Sequence, residues 1–392
     1  MDASFRAEVI RSLKDDYKQR GIPALLEEYG SPLLLFDPER VRTQYRTMQQ
    51  QLPFIRHFFA IKALRHPAAV AAVKDEGGYF DVITKSDIDL VKDQGIAPDR
   101  CIHTNTIKTS EEIEYALRYG VRIFVVDNFS EIDKFIPHAG KVELLVRLSF
   151  QNPKAKSNLS FKFGVPPEEA EQLVAHASKK GLKVAGLSFH VGSQIDTAKA
   201  YVDAIGRTVK LVDKIEQSQG LRLEILDIGG GFPVNYLEPA PSLEEVAKTI
   251  LPLLEPLKDR MSIFAEPGRF LVASSLTLYT RVISKSIRGG KQWYYLDDGL
   301  FSSFSNVIFE HVMPPVVALK EVKSGRPLQL EKCVIAGPTG DSVDIIDTDC
   351  SLPKLDIGDY VVSPMMGAYT VVSATEFNGI PKTPIVVLGK GD

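Results

Sequence analysis

The 392-residue sequence is short of several things, and each shortage narrows what the chain can be. Cysteine occurs three times, at Cys101, Cys333 and Cys350, without the spacing of a metal site or a disulfide framework. That argues against a zinc module or a disulfide-stapled scaffold and fits a reduced cytoplasm. No apolar run approaches the length of a membrane span, and the first residues, with Asp2, Arg6 and Glu8, form no signal-peptide core. A membrane protein is therefore not expected. Net charge is also small, −3, which leaves no basic footprint for nucleic acid. Low-complexity segments, long linkers and an early Gly-x-Gly-x-x-Gly turn are missing as well. What remains is an ordinary globular composition, 44% hydrophobic and 25% charged, on a chain long enough for two domains.

Within it a regular rhythm sets in. Residues 1–30 look helical and polar, with a break at Ile22-Pro23. Pro32 to Asp37 reads as a strand and Pro38 to Gln51 as an amphipathic helix. Eight further strands are predicted at His57–Ala63, Tyr79–Thr84, Arg100–Asn105, Arg122–Asp127, Val142–Ser149, Val184–Val191, Leu223–Ile228 and Ser262–Glu266. Helices fall between them, with starts at Pro67, Ser86, Thr109, Ser130, Pro167, Thr197 and Ser242; Thr109 and Glu112 have capping-box spacing. Eight strands alternating with helices predict a closed (β/α)8 barrel, an α/β fold of the TIM type, with a doubly wound open sheet as the alternative. From about residue 275 helices thin out. Strands at Thr277–Ser286, Lys291–Asp297, Leu328–Gly337, Asp359–Val362 and Ile385–Leu388 predict a second, mostly β domain.

The barrel strands end in polar residues: Lys62, Asp81, Asn105, Asp127, Arg147, His190, Asp227 and Glu266. In a parallel barrel these ends open on one face, where this fold builds its active sites. Lys62 closes an apolar run, His57 to Ile61. A partly desolvated lysine there has a lowered pKa and is a nucleophile; a lysine snorkelling out of the core is the plainer alternative. Asp227-Ile228-Gly229-Gly230-Gly231-Phe232-Pro233 follows the seventh strand and lets backbone N–H groups approach an anion, unless it is only a tight turn. Glu266-Pro267-Gly268-Arg269 follows the eighth and adds a guanidinium suited to phosphate. A phosphate site, an amine, His190 and a carboxylate together suggest pyridoxal phosphate. Lys62 would form its Schiff base, His190 would stack on its ring, and Ser193 would donate to its phosphate. Glu266 would hold its pyridine nitrogen protonated, which favours decarboxylation over racemisation. His190 as a core histidine, or Glu266 as a partner for Arg269, are the structural alternatives.

These stretches resemble the fold type III, or group IV, pyridoxal-phosphate decarboxylases of ornithine, lysine, arginine and diaminopimelate, and the likeness runs over nearly the whole chain. It rests on Phe59-Ala60-Ile61-Lys62-Ala63, Phe80-Asp81-Val82, Ser188-Phe189-His190-Val191-Gly192-Ser193, the Gly229–Gly231 loop, Glu266-Pro267-Gly268-Arg269 and Gly367-Ala368-Tyr369. It implies an N-terminal segment (1–36) packed with the β domain, a cofactor-binding barrel (37–274) and a C-terminal β-sandwich or β-barrel domain (275–392). It also implies cofactor contacts from Asp81, Arg147, Gly230, Gly231, Gly268, Arg269 and Tyr369. A head-to-tail homodimer with shared active sites is expected from the likeness, with Lys162 pairing with Asp344 across it; on bare sequence those two are only surface charges. Asp341 matches the aspartate that binds the distal amine in ornithine and lysine decarboxylases, with Glu310 nearby in function.

Three positions depart from the family. Gly340 stands where the proton-donating cysteine is usual, Phe309-Glu310 where tyrosine and aspartate are typical, and Leu64 where asparagine is common. The resulting expectation is a cytoplasmic decarboxylase of a basic diamino acid, ornithine or lysine in type, that needs no metal. A decarboxylase of a modified or carrier-bound amino acid and a non-catalytic regulatory paralogue are the alternatives.

Overall fold

Apolar runs bounded by turn residues do become strands in a computed structural model of the chain, which describes residues 1–150 and 159–389. Leu33–Phe36 (β1) is buried at all four positions. Eight parallel strands then close a barrel: Ile55–Ala60 (β2), Tyr79–Val82 (β3), Cys101–His103 (β4), Ile123–Val126 (β5), Glu143–Leu148 (β6), Lys183–Phe189 (β7), Ile225–Asp227 (β8) and Ser262–Ala265 (β9). The barrel is the fold expected from the rhythm. The open-sheet alternative is excluded because β9 pairs back onto β2, with Ile55 opposite Ile263 and His57 opposite Ala265.

The chain divides into two compact units. The barrel unit comprises Arg42–Val234 and Ala240–Leu271; the other comprises Met1–Val41, Asn235–Pro239 and the residues from Val272 onward. Parallel barrel strands are covered on both faces, so they read as continuous apolar runs rather than alternations. Phe58, Ile102, Val125, Leu145, Ala185, Ile225 and Phe264 pack as one cluster. The barrel centre is thus a filled core, and the open ground for chemistry is at its rim. Reciprocal capping boxes, Thr109 with Glu112 and Ser242 with Glu245, start two of the outer helices. Two other starts lie two residues earlier than expected. Thr84 rather than Ser86 caps Lys85–Asp93, and Asn128 rather than Ser130 caps Phe129–Asp133, because their side chains reach the N–H of Asp87 and Glu131.

The second unit is a mixed sheet. Its strands are β1, Leu276–Arg288 (β10), Lys291–Leu296 (β11), Val317–Ala318 (β12), Glu331–Ala336 (β13), Ile345–Leu352 (β14), Tyr360–Ser363 (β15) and Ile385–Val387 (β16). They run in the order β12-β15-β10-β11-β13-β14, and β1 pairs antiparallel with β10 and parallel with β16. β14 was not expected from the sequence. Its Asp347, Thr348 and Asp349 are polar and interrupt the apolar pattern, yet it pairs with β13 along its length. Short helices at Ser305–Phe309 and Leu319–Lys323 were likewise missed. Arg6 crosses to Glu321 as a buried bidentate pair with both contacts at 2.8 Å, a geometry that fixes direction as well as charge. Among the described residues no helix is long and apolar enough to cross a membrane, and no three His, Cys, Asp or Glu are grouped to hold a metal.

Candidate active site

The polar strand ends need one refinement. Asp81, Arg147 and Asp227 lie within their strands, but Lys62, Asn105, Asp127, His190 and Glu266 stand one or two residues beyond. β2 stops at Ala60, and Lys62 sits in a single 3-10 turn, Ile61–Ala63, between two buried neighbours. The turn lifts the lysine off the sheet, and its side chain is 37% exposed.

Lys62 Nζ lies 3.9 Å from Asp81 Oδ2. Asp81 is adjacent because β3 pairs with β2 in the register Ala60 opposite Asp81. Its carboxyl is fully buried, and its other oxygen accepts from the Thr104 hydroxyl at 2.5 Å. Burial pushes the Asp81 carboxyl up to about 7, against the pull of the Lys62 charge.

Asp227 and Glu266 come from adjacent strands. Asp227 Oδ1 accepts the Gly229 N–H at 2.9 Å, while the Glu266 N–H donates to the Gly229 carbonyl at 2.8 Å. One glycine therefore ties both acidic residues to the same loop, and the two carboxyls lie within hydrogen-bonding reach of each other. Burial raises Glu266 well above the usual carboxylate range; the Asp227 charge adds to this, and Lys62 and Arg147 oppose it. Burial likewise pushes Asp227 up to about 6.

His190 lies just past β7. Its Nδ1 accepts the Gly192 N–H at 3.0 Å, which leaves Nε2 as the nitrogen that carries the proton of a neutral ring. Burial, then the charges of Arg147 and Lys62, keep the imidazole neutral. A Cβ at Gly230 would come within 3.0 Å of His190 Nε2 and 2.6 Å of the Glu266 carbonyl oxygen. Only glycine lets the loop pass between them. Gly231, at φ +113°, turns the backbone in the left-handed region that side chains avoid. The Gly230 carbonyl is held by the Tyr201 hydroxyl at 2.8 Å. Arg269 opens the short helix after Gly268 and donates to Ser193 Oγ at 3.0 Å, so that hydroxyl can pass its own proton to a further acceptor.

The barrel unit thus brings together Lys62, Asp81, Arg147, His190, Ser193, Gly230, Gly231, Glu266, Gly268 and Arg269. Pyridoxal phosphate fits what they offer: an amine for its carbonyl, a neutral ring for its face, a glycine loop with a guanidinium and hydroxyl for its phosphate, and a carboxyl for its nitrogen. Two residues with a part in this arrangement, Thr104 and Tyr201, carried no sequence signal of their own. Thr104 could have been found by asking which residue of the neighbouring strand reaches the depth of Asp81.

Tyr369, Glu310 and Asp341 belong to the other unit. Tyr369 has a left-handed backbone, φ +55°, and its carbonyl accepts from Ser373 Oγ at 3.0 Å. Glu310 caps the end of Ser305–Phe309, and Asp341 Oδ1 accepts the Val343 N–H at 3.0 Å. Asp344 is not a surface charge. It is buried, with Oδ1 on the Leu300 N–H at 2.7 Å and Oδ2 on the Thr339 hydroxyl at 2.7 Å, so it organises its own loop. Lys162 is exposed, 4.8 Å from the ring centre of Phe163.

Comparison with known proteins agrees with this geometry. The family model described as the pyridoxal binding domain of pyridoxal-dependent decarboxylases matches residues 39–273. A lysine/ornithine decarboxylase of Selenomonas ruminantium is 32% identical, covering 94% of this chain and 92% of its own length. Antizyme inhibitor 2 of Xenopus laevis is 34% identical, covering 85% of this chain and 76% of its own. The crystal structure of a lysine/ornithine decarboxylase from Vibrio vulnificus with putrescine superposes with a TM-score of 0.87 at 39% identity, over 94% of this chain and 97% of that one. A lysine/ornithine decarboxylase from Vibrio vulnificus crystallised with cadaverine superposes with a TM-score of 0.88 at 38% identity, over 94% of this chain and 98% of that one.

Proposed function

We propose, because this chain belongs to the family of pyridoxal-dependent decarboxylases, that it removes the carboxyl group of a basic diamino acid, lysine or ornithine, to give cadaverine or putrescine. It is an amino-acid decarboxylase that uses pyridoxal phosphate. The observation that carries the reading is the meeting of Lys62, His190 and Glu266 at one rim of the barrel, with Asp81 3.9 Å from the lysine.

When bound, the cofactor supplies an electron sink that lets carbon dioxide leave the α-carbon. The chain's own residues do the rest. Lys62 Nζ is the amine that anchors the cofactor's carbonyl, and Asp81 holds a compensating charge beside it. His190 presents a neutral ring face, fixed by the Gly192 N–H, so it packs without introducing a second cation. The Gly229–Gly231 loop, Ser193 and Arg269 bind the phosphate, with Tyr369 as a further contact. Glu266 holds a proton at the ring nitrogen. Glu310 and Asp341 bind the substrate's distal ammonium, and a second copy of the chain completes the site. With three buried thiols and no long apolar helix among the described residues, a cytoplasmic location suits the protein.

A purely regulatory role, as the name of the antizyme inhibitor suggests for that relative, is disfavoured by the intact set of Lys62, His190, Gly230, Glu266 and Arg269. The test is carbon dioxide release from a panel holding ornithine, lysine, arginine, diaminopimelate and N-acylated diamino acids, with the products identified. Release from lysine or ornithine, abolished in Lys62→Ala, is expected. Cofactor-loaded protein that releases nothing from any of them would refute the reading. Release only from the conjugated compounds would move the substrate to a modified amino acid.

A further inference from the structure

Asp227 has no task in the scheme above, yet it is wholly buried beside the residue that meets the cofactor's ring nitrogen. Its Oδ1 is held by the Gly229 N–H, while its Oδ2 meets no donor among the described residues. A proton on the neighbouring Glu266 carboxyl, with which Asp227 is in hydrogen-bonding reach, would supply one. Two carboxylates at that separation, out of water, do not both stay ionised. The other groups facing the pair are Asp81, which adds negative charge, Lys62 and Arg147, which offset it, and the buried phenol of Tyr201. Asp81 has its own donor and cation in Thr104 and Lys62.

We propose that Asp227 is a positioning residue which holds a proton on Glu266 in the cofactor-free protein, so that Glu266 meets the ring nitrogen as a proton donor and not as a bare carboxylate. Asp227 keeps its charge throughout, anchored on the Gly229 N–H. Glu266 gives the proton up on binding. It passes to an unprotonated ring nitrogen, or leaves to solvent where the nitrogen already carries one, and the Glu266 carboxylate then accepts the nitrogen's N–H. The complete burial of Asp227 and its donor-less Oδ2 favour the shared proton over two separate charges. The assignment rests on the pyridoxal-phosphate reading of the site.

Proton counting separates this from a merely structural part for Asp227. Pyridoxine 5′-phosphate has the ring, nitrogen and phosphate but no carbonyl, so its binding involves no reaction with Lys62. Its binding to full-length cofactor-free protein is measured by calorimetry in buffers of different ionisation enthalpy, which yields protons exchanged per site. Wild type should take up about one proton fewer, or release about one more, than Asp227→Asn, in which Glu266 has lost the neighbouring charge and starts ionised. Infrared spectra of the two unliganded proteins provide a measurement independent of binding. At pH 8, where Asp81 is largely ionised, a carboxylic-acid carbonyl band in wild type should be lost in both Asp227→Asn and Glu266→Gln. Equal proton counts in wild type and Asp227→Asn, or a band that survives Glu266→Gln, overturns the proposal. Failure to bind pyridoxine 5′-phosphate at all would instead count against the cofactor reading, and the infrared comparison would still decide the shared proton.

Discussion

Replacing Thr104 by valine removes one oxygen at nearly constant shape, and the structure says what that oxygen is for. Its hydrogen bond to Asp81 Oδ1, at 2.5 Å, is the only one the described contacts give that carboxyl. Lys62 stands off at 3.9 Å. With its carboxyl pushed up to about 7, Asp81 is largely ionised at pH 8 and neutral at pH 5. Hydrogen bonds to charged groups contribute about 1.5–3 kcal/mol and neutral ones about 0.5–1.5 kcal/mol. Thr104→Val should therefore destabilise the cofactor-free barrel by about 2 kcal/mol at pH 8 and by about 1 kcal/mol at pH 5. By linkage, that difference of about 1 kcal/mol raises the Asp81 pKa by about 0.7 of a pH unit, since about 1.4 kcal/mol corresponds to one unit. Urea unfolding followed at the two pH values measures the first quantity, and the carboxyl resonance of Asp81 measures the second. The same substitution in an Asp81→Asn background should lose its pH dependence. Equal destabilisation at pH 5 and pH 8 in the wild-type background would refute the reasoning, because the hydroxyl would then not be serving the charged form.

Two other outcomes follow from local geometry. His57 is buried, with Nε2 3.2 Å from the Leu52 carbonyl and Nδ1 without a partner among the described residues, and burial lowers its pKa to about 4. A base depressed from 6.5 contributes stability above pH 6.5 that is lost as pH falls through about 4, a total of about 3 kcal/mol; His57→Gln should flatten the acid side of the stability profile over that window, and an unchanged slope would count against it. At Gly340 a Cβ would meet nothing nearer than Asn378 Oδ1 at 3.7 Å, and the backbone is not left-handed. Gly340→Cys should thus fold with a stability within about 0.5 kcal/mol of wild type and place a thiol where the family resemblance implies a proton donor. Aldehyde by-product per carbon dioxide released should then fall, and a by-product fraction that stays the same would separate Gly340 from the proton step.

The barrel was legible because its strands are buried on both faces, so they appear as apolar runs such as Ile123 to Val126 at helix-spaced intervals. Lys62, His190 and Glu266 were legible because each follows such a run, and strand ends of a parallel barrel converge. Contacts across strands were not. Thr104 reaches Asp81 only through the pairing of β3 with β4, and Asp227 reaches Glu266 only through the loop that Gly229 folds between them. β14 was hidden by Asp347 and Asp349, which lie on the strand with no core to face, and Asp344 looked like a surface charge because its donors lie on two separate loops.

The buried charges of the barrel rim explain why one carboxyl, and not another, is left to meet the ring nitrogen. Three carboxyls, Asp81, Asp227 and Glu266, share a site with two cations, Lys62 and Arg147. Taken out of water, three negative charges cannot all be kept against two positive ones. Asp81 has a hydroxyl donor and the lysine, and Asp227 has a backbone N–H; both can hold their charge by local means. Glu266 has no such donor among the described residues, and its main-chain N–H is committed to Gly229. It is therefore the carboxyl whose charge costs most when it stands alone and is best compensated when a cationic N–H arrives. The same ordering predicts that removing Thr104 weakens Asp81's claim to its charge and that removing Asp227 strengthens that of Glu266, so the two substitutions should shift the proton count of the site in opposite directions.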